Sequence, residues 1–407
     1  PYTTLFRSGN VTISDIRVIN TRPSGANLTV VKVETSEPGL YGLGCATFAY
    51  RYLAVTELVE KYLKPLLAGR NVSDIEDIWQ LMNSNSYWRN GPVTNNAISG
   101  VDTALWDIKG KMAGMPVYDL LGGKSIEAAA VYRHADGRTL EEVWENVQKY
   151  REQGVRHIRV QFGGYGGKAA GLNKPEGAPA GEYYCPDQYV YNTLKLVDYI
   201  RNKAGNEIEL LHDTHERLSA INAVRLAKEL EPYHLFFLED ILPPEQGEWY
   251  RMLRHQCVTP IALGELFCNP KEYDYLIAER LIDFIRCHIS DIGGITPANK
   301  LAVFGEHFGV RTAWHGPGDV SPVGHAANIH LDLHAHNFGI QEWAGIDETL
   351  AEVFPGSPEL RNGYVYLNGK PGLGIDIDEK LAAKFPCDDS VTQWTQTRLP
   401  DGTYNHP

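Results

Sequence analysis

The sequence contains no CxxC and no CxxH pair. Its six cysteines (Cys45, Cys185, Cys257, Cys268, Cys287 and Cys387) are scattered over 407 residues. That spacing argues against a zinc–thiolate centre or a thioredoxin-type redox pair. A chain this long needs no disulfide scaffold, and unpaired thiols fit a reducing cytoplasm. A run of 18 apolar residues is missing, as is a signal-peptide pattern, so neither a membrane span nor secretion is expected. Basic residues are in deficit, with 38 Lys and Arg against 51 Asp and Glu, for a net charge of −13. This excludes non-specific binding to nucleic acid or an anionic membrane. An acidic substrate would need a cation at its site. Long low-complexity tracts are also missing, and a 43% apolar, 22% charged composition is that of a globular protein. The length suffices for one large barrel or two domains with sizeable cores.

The start lacks an initiator Met. "PYTTLFRS" can be encoded by a sequencing-adapter fragment, so residues 1–8 are expected to be a non-native leader; native genomic sequence encoding them would overturn this. Residues 9–125 read as an α+β domain. The segments "VTISDIRVIN", "LTVVKVETS" and "YGLGCATF" have strand patterns separated by Pro/Gly/Ser breaks. Helical patterns follow in "YLAVTELVEKYLKPLLAG", ending at glycine, in "VSDIEDIWQLM", with Ser73 as cap candidate, and in "TNNAISGVDTALWDIKGKMAG", with Ile98, Val101, Ala104, Leu105 and Ile108 at helical spacing.

From about residue 126 short apolar strands alternate with amphipathic helices, the pattern of parallel βαβ units. Eight strands are expected, at 129–134, 157–161, 207–213, 235–240, 261–265, 284–289, 311–316 and 338–343. The natural closed form is a (β/α) barrel over 126–345, with its active site where the strands' C-terminal ends meet the following loops. Residues 346–407 follow no barrel helix pattern and are expected to return to the first domain.

The run "LLHDTHERLS" poses the functional question. Asp213 could be a turn former, a helix cap or a metal ligand. Glu239, in "FLED", and Glu265, in "LGE", follow at steps of 26 residues, one βα unit each. Three unrelated helix caps would give such acids singly; three in register on adjacent strands converge on one rim, where they repel unless a cation joins them. All-oxygen donors suit Mg²⁺ or Mn²⁺ rather than zinc. His134, Arg159, Gln161, His215, Arg286, His315 and Glu342 fall on the same rim, a set suited to a polyhydroxy acid whose carboxylate meets the metal. The stretch 162–188 is too long and too rich in Gly and Pro for an ordinary loop and reads as a lid or interface. Its "GGYGGKAAG" opens no helix at the place a phosphate-binding loop requires.

Taken together, "YWRNGPVTNNAISGVDTALWDIKGKMAGMPVYDLLGG", "LLHDTHER", "FLED", "ALGE", "FIRCHISDIGGIT", "WHGPGDVSPVGHAANIH" and "FGIQEW" resemble the mannonate dehydratase subgroup of the enolase superfamily, over residues 9–407. The resemblance implies an α/β fold, a (β/α)7β barrel under an α+β cap. It implies Mg²⁺-dependent dehydration of D-mannonate or D-gluconate to 2-keto-3-deoxy-gluconate through an enediolate, by a cytoplasmic homo-oligomer. Asp213, Glu239 and Glu265 would bind the metal. His215 would protonate the departing 3-hydroxyl, and Arg159 would support a tyrosine base. Asn27, His134, Arg286, His315, Asp319 and Glu342 would contact substrate. The subgroup's tyrosine position holds Gly171 here, so Tyr165 becomes the expected base, with Tyr183 and Tyr184 behind it. Tyr404 stands where relatives carry Trp, and Pro317 where mannonate-active relatives tend to carry Ala. Two other readings keep the fold: a non-catalytic paralogue that binds metal and sugar acid, and a racemase. The second lacks the strand-two lysines, since "RVQ" stands there.

Overall fold

The structure is a computed structural model, and it describes residues 10–162, 174–391 and 396–405. Three antiparallel strands, Ile13–Thr21, Leu28–Thr35 and Tyr41–Cys45, open the chain in the order expected. Against them lies the helix Pro92–Ala113, which ends at Gly114 in the left-handed conformation. Sheet and helix meet backbone to backbone. A Cβ on Gly44 would lie 1.9 Å from the Gly100 carbonyl oxygen, and one on Gly42 2.0 Å from that of Ala104. Only glycine allows this approach. Gly44→Ala is therefore expected to destabilise the protein by about 1–3 kcal/mol or more, as overpacking does. A thermal unfolding midpoint equal to that of the parent would refute it. The helix Ile75–Asn85 begins after Asp74, one residue beyond the expected Ser73 cap; Ser73 instead donates its backbone N–H to Asn71 Oδ1.

The barrel strands are Ala129–Gly137, His157–Phe162, Glu209–Asp213, Phe237–Glu239, Ile261–Leu263, Phe284–Ile285, Arg311–Thr312 and Gln341–Glu342. They are called barrel strands one to eight below. All eight expected strands are present; five of them end before the expected C-terminal residues, because the chain turns away into the βα loops there. Parallel pairing runs from strand one to strand seven, and a Thr312–Phe338 bridge links strand seven to the run before strand eight. Strand eight pairs with strand one through Gln341–Val131 and Glu342–Tyr132, which closes the ring.

Inside the ring, alternate residues point inward. Tyr132, Leu211, Phe237, Ala262, Phe284, Ala313 and Ile340 form one buried apolar cluster, five of them on barrel strands, with Ala313 directly after strand seven and Ile340 directly before strand eight. Such layers make a barrel interior a packed core rather than a pore. Two residues further along the chain from each stand His134, Asp213, Glu239, Gly264, Arg286, His315 and Glu342, on the strand or just past its end. The apolar layer thus forms a floor beneath a polar one.

The chain after the barrel forms the short helix Glu348–Val353 and a hairpin, Glu359–Arg361 with Tyr364–Tyr366, that pairs antiparallel with the start of barrel strand one. It then reaches the first domain. Thr21 Oγ1 donates to the Ala382 carbonyl (2.9 Å), and Glu379 accepts from Arg17 and Lys32. Within the expected lid, Glu182–Tyr183 pairs in parallel with Thr397–Arg398. No helix among the described residues is long and apolar enough to cross a membrane.

Candidate active site

A cavity of about 540 Å³ opens at the C-terminal ends of the barrel strands. His134, Arg159, His215, Glu265, His315 and Glu342 line it, with Asp319 at the edge, and cap residues Thr47–Tyr50 border it. Asp213, Glu239 and Arg286 are fully buried next to these groups. Asn27 lines an adjoining pocket that shares Tyr50 and Asp319 with the cavity, and its amide is occupied by the backbone of Asp388. Tyr404 stacks on Arg398 and does not line the cavity. The expected base Tyr165 lies outside the described residues, as does Gly171. Tyr183 donates to the Pro179 carbonyl and Tyr184 is buried against Tyr189; neither lines the cavity.

Strand register sets the polar layer. Asp213 pairs with Glu239 across barrel strands three and four. Strict alternation then fails twice. Gly264 takes φ +137°, a conformation open to glycine, and the turn carries Glu265 rather than residue 264 to the site. Asp240 takes φ +39°, so two adjacent acids serve one centre. Its Oδ1 accepts from Gly264 N–H (3.0 Å) and its Oδ2 from Arg286 (2.6 Å). Asp240 was missed from the sequence because a residue next to an inward-facing one should face outward; the doubled acid in "FLED" was the available signal. His288, in "FIRCHISD", was also passed over and also lines the cavity.

Two guanidinium groups organise the acids. Arg159 Nη1 donates to Asp213 Oδ2 (2.9 Å) and Glu239 Oε1 (3.1 Å), while its Nη2 lies 3.1 Å from His134 Nδ1. Arg286, 0% exposed, reaches Asp240, Glu265 (2.9 Å), Glu342 (2.7 Å) and Glu239 (2.9 Å). Asp213 also accepts from the His215 backbone N–H (2.7 Å). It is thus a turn former through one oxygen and a member of the acid cluster through the other. None of the three acids caps the helix that follows its strand; the caps there are Ser219, Glu248 and Asn269.

Burial, and then the neighbouring Glu239, push the Asp213 carboxyl well above the usual range. Burial likewise lifts Asp240 to about 7, against the pull of Arg286. Glu265 goes the other way: burial would raise it, but His315, His215 and Arg286 together hold it well below. Two histidines share that carboxylate, His215 Nε2 at 3.5 Å from Oε1 and His315 Nε2 at 3.1 Å from Oε2. Their proton affinities diverge. Burial lowers His215 to about 4, whereas Glu265 and Glu342 overcome the burial of His315 and raise it to about 9.

This donor set fits a hard divalent cation. Asp213, Glu239 and Asp240 each offer an oxygen, all within 4.8 Å of one another, and all three are buried. Acids this close and this desolvated are relieved by positive charge. Glu265, the third ligand expected from the spacing, is joined to Asp240 through Arg286 Nη1.

A capped barrel with acids at the ends of successive strands defines the enolase superfamily architecture. Residues 142–381 match the family model described as enolase C-terminal domain-like, and residues 3–122 match the mandelate racemase / muconate lactonizing enzyme N-terminal domain. The chain is 56% identical over 402 residues to a D-galactonate dehydratase family member of Enterocloster bolteae, covering 98% of this chain and 100% of that one. It is 52% identical to another from Salmonella virchow, with 98% and 100% covered. A crystal structure of an enolase from Pantoea ananatis with bound d-gluconate and Mg superposes with a TM-score of 0.96 at 53% identity, over 98% of this chain and 100% of that one. The chain belongs to the D-galactonate dehydratase family of the enolase superfamily.

Proposed function

We propose that the protein is a Mg²⁺-dependent hydro-lyase that removes water from a six-carbon sugar acid, D-gluconate or D-mannonate, to give 2-keto-3-deoxy-gluconate. One observation carries the reading: a single cavity joins a buried acid cluster suited to a cation to two histidines that share the Glu265 carboxylate. The d-gluconate and Mg in the Pantoea ananatis enolase support the choice of ligand. When bound, the cation supplies positive charge against the substrate carboxylate, easing loss of the adjacent C–H proton.

In this proposal Asp213, Glu239 and Glu265 hold the cation, with Asp240 alongside. Arg159 keeps Asp213 and Glu239 aligned and sits at the start of the lid. Tyr165, activated by that guanidinium, takes the proton. His215 gives a proton to the departing 3-hydroxyl. To act as that acid it must carry the extra proton when substrate is bound, and the Glu265 carboxylate 3.5 Å from its Nε2 favours the protonated ring. His315, Glu342, His134 and Asp319, which line the cavity, contact the substrate, whereas Arg286, fully buried, acts through the Glu265 and Glu342 carboxylates it holds, and Asn27, in the adjoining pocket, is bonded to Asp388. The proposal includes assembly with like chains in the cytoplasm; a monomer by light scattering would reject that part.

The direct test is the purified protein with Mg²⁺ against a panel of hexonates, reading 2-keto acid formed. Failure on gluconate and mannonate with turnover of a different epimer would reject the substrate assignment. For the base, Tyr165→Phe is expected to abolish turnover and exchange of the C2 proton with solvent while Mg²⁺ still binds. A Tyr165→Phe protein with parental turnover would remove tyrosine from the role.

Magnesium affinity is expected to depend on pH. Asp213 and Asp240 hold protons more tightly than ordinary carboxylates in the cation-free protein, and a cation must displace them. Affinity should therefore fall as pH drops below about 7, by roughly tenfold per pH unit for each proton displaced. Calorimetric titration at pH 8 and pH 6 checks this; equal affinities would show that the acids are already ionised.

A further inference from the structure

His288 follows barrel strand six by three residues and is 7% exposed. Its Nδ1 lies 2.8 Å from Nδ1 of His315, with ring centroids 5.0 Å apart. At that separation the two nitrogens share one hydrogen, one donating and the other accepting. The far nitrogen of His315 faces carboxylates only, Glu265 at 3.1 Å and Glu342 at 4.0 Å. An ionised carboxylate accepts and does not donate, so His315 Nε2 carries a hydrogen. Backbone bonds fix the ring's mount: His315 N–H donates to the Cys287 carbonyl (3.2 Å), and the His315 carbonyl accepts from Asn328 Nδ2 (3.0 Å).

We propose that His288 is a positioning residue for His315: the Nδ1–Nδ1 hydrogen bond fixes the His315 ring and keeps its protonated Nε2 turned to Glu265 and the cavity. The orientation of a histidine ring is set by the bond its other nitrogen makes. In many catalytic dyads that partner is a carboxylate. A neutral imidazole does the work here, holding the ring without adding another negative charge to a site already crowded with acids. Burial lowers His288 to about 3, so it stays uncharged across the working range. A charged imidazole at that place would repel His315.

This inference refines the proposed function, since the held ring belongs to the proposed substrate site, but its first test needs no turnover. Full-length protein labelled with ¹⁵N in histidine, before any substrate is added, should show scalar coupling across the hydrogen bond between Nδ1 of His288 and Nδ1 of His315. His315 Nε2 should be protonated. Absence of the coupling, or an unprotonated Nε2, overturns the proposal even if the enzyme is active. An inactive parent with the coupling present would reject the proposed function and leave this inference standing. His288→Leu should lower turnover about 10- to 100-fold with KM for the acid little changed. His288→Asn, whose side-chain amide can replace Nδ1 as either donor or acceptor, should recover most of it. A folded His288→Leu protein with parental turnover, or a His288→Asn protein as impaired as a folded His288→Leu, overturns it. Should His288→Leu not fold, the coupling and the His288→Asn turnover decide.

Discussion

Glu239→Gln is expected to reduce turnover by at least ~10²-fold, because positive charge held at this point supplies several kcal/mol of transition-state stabilisation. Glu239 is the centre of the acid cluster. Its Oε1 accepts from Arg159 (3.1 Å) and pairs with Arg286 (2.9 Å), and its Oε2 accepts from Tyr132 (3.1 Å). Glutamine keeps the shape but removes the charge. It also turns one of those acceptors into a donor, which on the Oε1 side would face guanidinium groups that only donate, whereas the Tyr132 hydroxyl on the Oε2 side can also accept. Magnesium affinity should fall together with turnover, which titration calorimetry and the keto-acid assay read separately. Near-normal turnover with undiminished affinity would show that Glu239 is no ligand and that the cluster serves the fold alone.

The reason Glu239 was legible in the sequence is geometric. The spacing of 26 residues between Asp213, Glu239 and Glu265 is the length of one βα unit, so the repeat of the fold shows as a repeat of the acids. The apolar residue two positions before Asp213 and before Glu239, Leu211 and Phe237, marks the floor of the barrel. His134, Arg286, His315 and Glu342 were found by their places at the same strand ends. Such placement fails where the backbone leaves the strand conformation. Asp240 reaches the cluster through its positive φ, and no pattern of side chains announces a dihedral angle. His288 lies beyond the last paired residue of its strand, Ile285, where alternation no longer says which way a side chain points. The cap's contribution, Thr47–Tyr50, carries no chemistry-bearing residue in a recognisable spacing; only the folded chain brings it to the rim. Five of the eight strands were overestimated at their C-terminal ends for a related reason. Polar rim residues continue the strand's composition after its hydrogen bonding has ceased.

Arg286 offers the largest expected effect on stability. It is fully buried and faces Glu239, Asp240, Glu265 and Glu342, and its Nη2 also donates to Tyr132 (3.2 Å). Forming such a network from solvated groups gains little, since desolvation opposes the attraction. Deleting one partner is different, because it strands the others. Arg286→Met, similar in bulk and without charge, should cost about 3–5 kcal/mol. The cost should depend on pH in a stated direction. With the guanidinium gone, the acids bind protons more readily, so acidification neutralises the charges left behind. The loss relative to the parent should therefore be larger at pH 8 than at pH 5. Arg286→Lys should fall between, keeping one positive charge but not the planar fork that reaches several carboxylates at once. Magnesium should restore part of the stability of Arg286→Met at pH 8, since a bound cation supplies charge to Glu239 from the other side. Unfolding midpoints of the three proteins at the two pH values, with and without Mg²⁺, separate these contributions. Arg286→Met as stable as the parent at pH 8 without Mg²⁺ would mean that the acids are already protonated in the folded chain, and that the guanidinium is not what balances them.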